Sequence, residues 1–132
     1  AILRWSALPG TSRHHWGTDI DIYDRAALGV SDTVQLSVAE VSKGEAFWPL
    51  HQWLDKVLAT AGSDFFRPYC GDNNGVAPER WHLSYQPLAC AYQAAISEAN
   101  LREFLSDKPI ALKSTVLENL EEIYYRFICL SK

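Results

Sequence analysis

Several things are missing from this chain of 132 residues. It has no methionine, no C-x-x-C pair, no cluster of basic residues and no long apolar run. A membrane-spanning helix needs about 20 consecutive apolar residues, so no transmembrane segment is expected. Lysine and arginine are scattered singly and are outnumbered, 12 against 16 Asp and Glu, for a net charge of −4. Nucleic-acid binding through phosphate contacts is therefore not expected. Only three cysteines are present, Cys70, Cys90 and Cys129. Their number and spacing exclude a cysteine zinc cluster. One disulfide with a free thiol is compatible with the count, and three unpaired, mostly buried thiols is the reading favoured here. The chain opens Ala1-Ile2-Leu3-Arg4-Trp5, with no basic-then-apolar leader.

What is present is a heavy aromatic load of five Trp, six Tyr and five Phe, enough for a real core. The length suits one domain over residues 1–132. Thr18 to Tyr23 alternates, with Ile20 and Ile22 on one face and Asp19 and Asp21 on the other, which predicts a half-buried strand. Thr33 to Val38 alternates in the same way. From Phe47 the spacing becomes helical through Leu50, Leu54, Val57, Leu58 and Ala61. Pro49 belongs in the first turn and Gly62 closes the helix. Phe65 to Tyr69 reads as a short strand and Cys70 to Glu79 as a loop. Trp81, Leu83 and Tyr85 alternate against His82 and Ser84. From Pro87 the pattern is helical, ending in a helix of about four turns with Val116, Leu120, Ile123 and Phe127 inward. The fold class is α+β: a small, mostly antiparallel sheet flanked by helices, with a helical C-terminus.

Of four histidines, two keep unusual company. His14 precedes Asp21 by seven residues, and Asp21 lies on the polar face of the first strand. His82 lies on the polar face of a later strand, three residues after Glu79. His51, within the helix, reads as a surface or hydrogen-bonded residue. If the two strands are neighbours, His14, Asp21 and His82 converge. Two imidazoles and one carboxylate leave one tetrahedral position of a zinc ion for water. Zinc lowers the pKa of such a water, and Glu79 is placed to take its proton. Each residue also has a plain reading as a surface polar group, and spacing by itself leaves both open.

Ser12-Arg13-His14-His15-Trp16-Gly17-Thr18-Asp19-Ile20-Asp21 resembles the S-x-H-x-x-G-x-A-x-D motif of the VanY-type D-alanyl-D-alanine carboxypeptidases. Glu79-Arg80-Trp81-His82 resembles their second motif, E-x-W-H. The resemblance runs from about Ser6 to Tyr85. It implies zinc as cofactor, held by His14, Asp21 and His82, with Glu79 as catalytic base and Ser12 contacting substrate. It implies a peptidoglycan stem peptide ending in D-Ala as partner, and the bacterial cell envelope or periplasm as location. Asp19 replaces the motif's alanine and is expected to act behind a ligand imidazole. Relatives carry an upstream segment whose Arg binds substrate. The chain begins after it, so a catalytic core with weak or no activity is expected. Arg4 and Arg13 are nearby cations outside such a motif. A zinc-stabilised binding module of the same fold is the alternative, and Glu79 discriminates, because a module that only binds needs no base.

Overall fold

The computed structural model describes residues 2–130. Three short strands form one antiparallel sheet: β1 (Asp19–Asp21), β2 (Phe65–Phe66) and β3 (His82–Tyr85), in the order β1-β3-β2. Asp19 faces Ser84, Ile20 faces Leu83 and Asp21 faces His82. Beyond β1 the pairing continues through Ile22 N–H to the Trp81 carbonyl at 3.0 Å and Tyr85 N–H to the Thr18 carbonyl at 2.8 Å. This is why the alternating run is longer than the strand itself.

The burial of β1 is the reverse of the hydrophobic expectation. Ile20 is 50% exposed, whereas Asp19 is buried. β3 is buried on both faces: Leu83, and Trp81 just before the strand, pack as predicted with Tyr85 half-buried, and His82 and Ser84 are buried as well. The sheet therefore encloses a polar layer, which is affordable only if every member finds a partner.

Thr33–Val38 is not a strand. Leu36 takes a left-handed φ of +50°. The Glu40 carboxylate accepts from the backbone N–H of Gln35 and Ser37, at 3.0 and 2.8 Å, and so takes the donors a strand would give to a neighbour. The alternation still has a use, since Val34 and Leu36 pack against Val41, Phe47 and Trp81.

Helix α1 (Trp48–Leu58) carries Pro49 in its first turn, where a missing N–H costs nothing. It stops before Gly62, which takes a φ of +88° in the turn that follows. β2 is shorter than the predicted Phe65–Tyr69. Strand β3 runs directly into α2 (Gln86–Ala95), again with a first-turn proline, and α3 (Glu98–Ser106) opens on a Ser97–Asn100 capping box. The predicted last helix is broken. It consists of α4 (Lys113–Glu118), α5 (Leu120–Ile123) and a π-helical turn, Tyr124–Ile128. The break falls at Asn119, whose side-chain N–H₂ bonds the Thr115 carbonyl at 2.8 Å. The apolar stripe survives it: Leu120 and Ile123 are buried with Leu8, Leu101, Leu105 and Ile128, and Val116 and Phe127 pack against them.

Gly75 joins this helical end to the loop before β3. A Cβ there would lie 2.1 Å from the Arg126 carbonyl oxygen, so only glycine permits the approach. The three cysteines are unpaired as favoured, but two are exposed and Cys129 is half-buried.

Candidate metal centre

The antiparallel register sets Asp21 beside His82. His14 arrives from the single 3₁₀ turn Arg13–Trp16, which Gly17 ends at a φ of +71°. One nitrogen of each imidazole and one Asp21 oxygen lie within 4.8 Å of one another. His14 Nε2 is 3.5 Å from Asp21 Oδ2, and His82 Nδ1 is 3.5 Å from Asp21 Oδ1. Glu79 borders the group, its Oε2 3.3 Å from His82 Nδ1. Ser12 is half-buried, makes no capping bond to the turn it precedes, and lines the same cavity. All five residues thus meet around one cleft of about 300 Å³.

Asp19 stands behind this group. A buried carboxylate is costly unless its lone pairs are used. Oδ1 accepts from Arg13 Nε at 2.8 Å and from His82 Nε2 at 2.9 Å. Oδ2 accepts from Thr18 Oγ1 at 2.6 Å and Ser84 Oγ at 3.0 Å. Burial works against the charged form, but the bonds from His82, Thr18 and Arg13 outweigh it and hold Asp19 well below the usual carboxylate range. The Asp19 backbone carbonyl lies 3.1 Å from His14 Nδ1.

This one residue sets both imidazoles. A carbonyl and an ionised carboxylate can only accept, so His14 carries a proton on Nδ1 and His82 on Nε2. The opposite nitrogens, His14 Nε2 and His82 Nδ1, are the two that face Asp21. Metal-binding histidines are characteristically held this way from behind. The charge balance points the same way. Asp19, Asp21 and Glu79 surround His82, with Arg13 as their nearby guanidinium. Burial disfavours the His82 cation, yet bonds to Asp19 and Glu79 and the charge of Asp21 raise its pKa to about 9. Three carboxylates against the Arg13 guanidinium and a protonated His82 still leave an excess of negative charge, and a divalent cation would take the place of the His82 Nδ1 proton.

The roles of four residues escaped the sequence reading. Thr18 and Ser84 complete the shell of Asp19, and strand alternation puts Ser84 on the His82 face. Arg13 is buried: its remaining nitrogens reach Gln93 Oε1 at 2.8 Å and Ser84 Oγ at 2.7 Å, and it lies 4.5 Å from the Trp16 ring centroid. Arg4 pairs with Asp72. Both cations are therefore engaged within the protein. Tyr69 meets His82 edge-on with ring centroids 5.0 Å apart, and no local pattern marked it. Burial, assisted by the Glu79 and Asp19 charges and opposed by Arg13, pushes its hydroxyl up to about 12. Of the two readings of His51, the hydrogen-bonded one holds: it is fully buried, with Nδ1 3.3 Å from Arg67 Nη2.

The model of a family described as VanY, D-alanyl-D-alanine carboxypeptidase, matches residues 1–88, which include every residue of this cleft named as a metal, base or substrate contact. The chain belongs to the VanY family. It is also 32% identical over 123 residues to an uncharacterized protein of Haemophilus influenzae, covering 92% of each chain. No solved structure matches it. VanY membership implies peptidase activity directed at D-Ala-D-Ala stem peptides of peptidoglycan. No helix among the described residues is long and apolar enough to cross a membrane.

Proposed function

We propose that this VanY-family chain is a zinc-dependent D-alanyl-D-alanine carboxypeptidase that acts on peptidoglycan stem peptides in the cell envelope. His14 Nε2, His82 Nδ1 and the Asp21 carboxylate hold the ion, and Glu79 is the general base. The observation that carries the reading is the double constraint by Asp19, which fixes the tautomer of both imidazoles while their other nitrogens converge on Asp21. The donor set, two imidazole nitrogens and one carboxylate oxygen with room beside them, fits a catalytic zinc site. A bound zinc supplies Lewis acidity toward the scissile carbonyl and makes a nearby water more acidic.

The rest falls to the chain's own groups. Glu79 takes the proton of the attacking water and returns it to the leaving amine. Its carboxylate, 16% exposed and next to His82, is open enough to exchange a proton and close enough to the ligand cluster to act there. Ser12 offers an uncommitted hydroxyl to the peptide. Asp19 touches neither water nor substrate; its saturated lone pairs leave it no capacity to ligate, and it keeps the imidazoles in their working tautomers.

The test is incubation of the zinc-loaded, full-length protein with a stem pentapeptide, followed by mass analysis of the products. Release of a single D-Ala, abolished by a chelator and restored by zinc, is expected. Intact pentapeptide in the presence of stoichiometric zinc would contradict the assignment and favour a binding module.

A further inference from the structure

A second dense polar cluster lies behind the turn that joins Glu79 to His82, and the reaction as described makes no use of it. Arg67, two residues before Tyr69, is at its centre with its side chain 11% exposed. Its Nε donates to the backbone carbonyl of Arg80 at 2.8 Å. Its Nη1 pairs with Asp55 of α1, and its Nη2 lies 3.3 Å from His51 Nδ1. Arg80 answers from the other side: its Nη2 bonds Asp55 Oδ2 at 2.7 Å and the His51 carbonyl at 3.4 Å, and its guanidinium lies 5.1 Å from the Trp48 ring centroid.

The Arg80 carbonyl sits midway along the short turn that carries the base at one end and a ligand at the other. The turn's other backbone bonds are at its ends: Glu79 N–H bonds the Tyr69 carbonyl at 2.9 Å, His82 N–H bonds the Glu79 carbonyl at 3.2 Å, and the Trp81 carbonyl accepts from Ile22 N–H beside β1 at 3.0 Å. Arg67 and Tyr69, from one stretch of chain, therefore hold its middle and its start. Only a guanidinium serves three acceptors in three directions from one rigid plane; an ammonium on a flexible stem does not. His51 fits the same design. Fully buried and flanked by two guanidiniums, it is neutral, so its Nδ1 can accept from Arg67. Its Nε2 has no partner among the described residues, so its connection to the cluster runs through Nδ1 and its backbone carbonyl.

We propose that Arg67 is a positioning residue for the reaction: by anchoring the Arg80 carbonyl to α1 it sets the distance and orientation between Glu79 and His82. The proposal rests on the catalytic reading above, but zinc affinity tests it independently of turnover. Arg67→Lys is compared with Leu105→Ala, a core truncation in the helical half that lowers stability without touching the turn. In folded Arg67→Lys protein, competition with a chromophoric chelator should show zinc held at least about tenfold more weakly, as when an outer partner of a ligand is lost. Turnover should fall at least about tenfold in kcat with little change in KM, because misplacing a base is felt in the attack step. Leu105→Ala should change neither. Should Arg67→Lys fail to fold, Arg67→Gln, which keeps one donor for the carbonyl, is read by the same measurements. Zinc affinity and kcat both within about twofold of the parent would overturn the proposal. If the parent binds zinc but cleaves no stem peptide, the catalytic reading fails, and the zinc comparison still decides what Arg67 does.

Discussion

The two halves of this molecule bury opposite kinds of groups. The helical end, from α3 through the π-helical turn, closes over leucine and isoleucine: Leu8, Leu101, Leu105, Leu120, Ile123 and Ile128. The sheet buries Asp19, His82, Ser84, Thr18 and Arg13. Apolar contacts are undirected, and a core built from them tolerates exchange as long as volume is kept. A buried polar network has directional bonds, and removing one member leaves others unpaired in a medium where that is expensive. The first half can hold a shape by many sequences. The second trades that tolerance for two imidazoles held in fixed tautomers.

This contrast can be broken most sharply at Glu79, which belongs to the polar half but carries no structural bond as strong as those of Asp19. Glu79→Gln should keep its zinc and lose about 10²–10⁴-fold in hydrolysis, the usual worth of a general base. Steady-state kinetics beside metal analysis reads both, and loss of the metal would make Glu79 a ligand. Asp19→Ala comes next. Leaving Arg13 and His82 buried without their carboxylate should cost about 3–5 kcal/mol of stability, the range for a broken buried pair. The same change should weaken zinc about 10–100-fold, as loss of an outer partner does. Denaturant unfolding and chelator competition measure the two. A variant with normal zinc affinity would show that the imidazoles need no support from behind.

Leu105→Ala is the matching change in the helical half. It should cost about 2–5 kcal/mol and leave zinc affinity alone. A change in zinc affinity would mean that the halves are coupled and the comparison fails. The smallest effect is a dependence of stability on pH. Burial pushes the pKa of His51 down to about 4 from 6.5, with the Arg67 and Arg80 charges adding to it and Asp55 opposing. Between those values the unfolded chain binds a proton that the folded chain refuses. The contribution is intact above pH 6.5 and is lost as pH falls toward 4. Unfolding midpoints of the parent should drop over that window more than those of His51→Gln, and parallel curves would contradict the assignment.

Much of the site was legible because strand alternation and spacing are local. His82 and Ser84 were read on one face, Asp19 and Asp21 on one face, and antiparallel pairing set these faces together. The reading failed where a side chain replaced a backbone partner. Glu40 captures the N–H groups of Gln35 and Ser37, so a perfect alternation from Thr33 to Val38 became a loop. It failed again where polar groups satisfy one another across the fold. Asp19 is inward and Ile20 outward because Arg13, Thr18, Ser84 and His82 converge on one carboxylate, which no hydropathy pattern displays. Arg67, and its pairing with a buried His51, were missed for the same reason: the partners are 16 residues apart or come from other elements. The break at Asn119 is a local bond to Thr115 that the apolar stripe runs straight through.

The most direct test of the account is a crystal structure of the zinc-loaded protein with anomalous data at the zinc edge. One peak is predicted about 2.0–2.2 Å from His14 Nε2, His82 Nδ1 and an Asp21 carboxylate oxygen, with Glu79 and Asp19 outside bonding distance. A zinc bound through His14 Nδ1 or His82 Nε2, or ligated by Asp19 or Glu79, would contradict the claim that Asp19 sets both imidazoles for the metal.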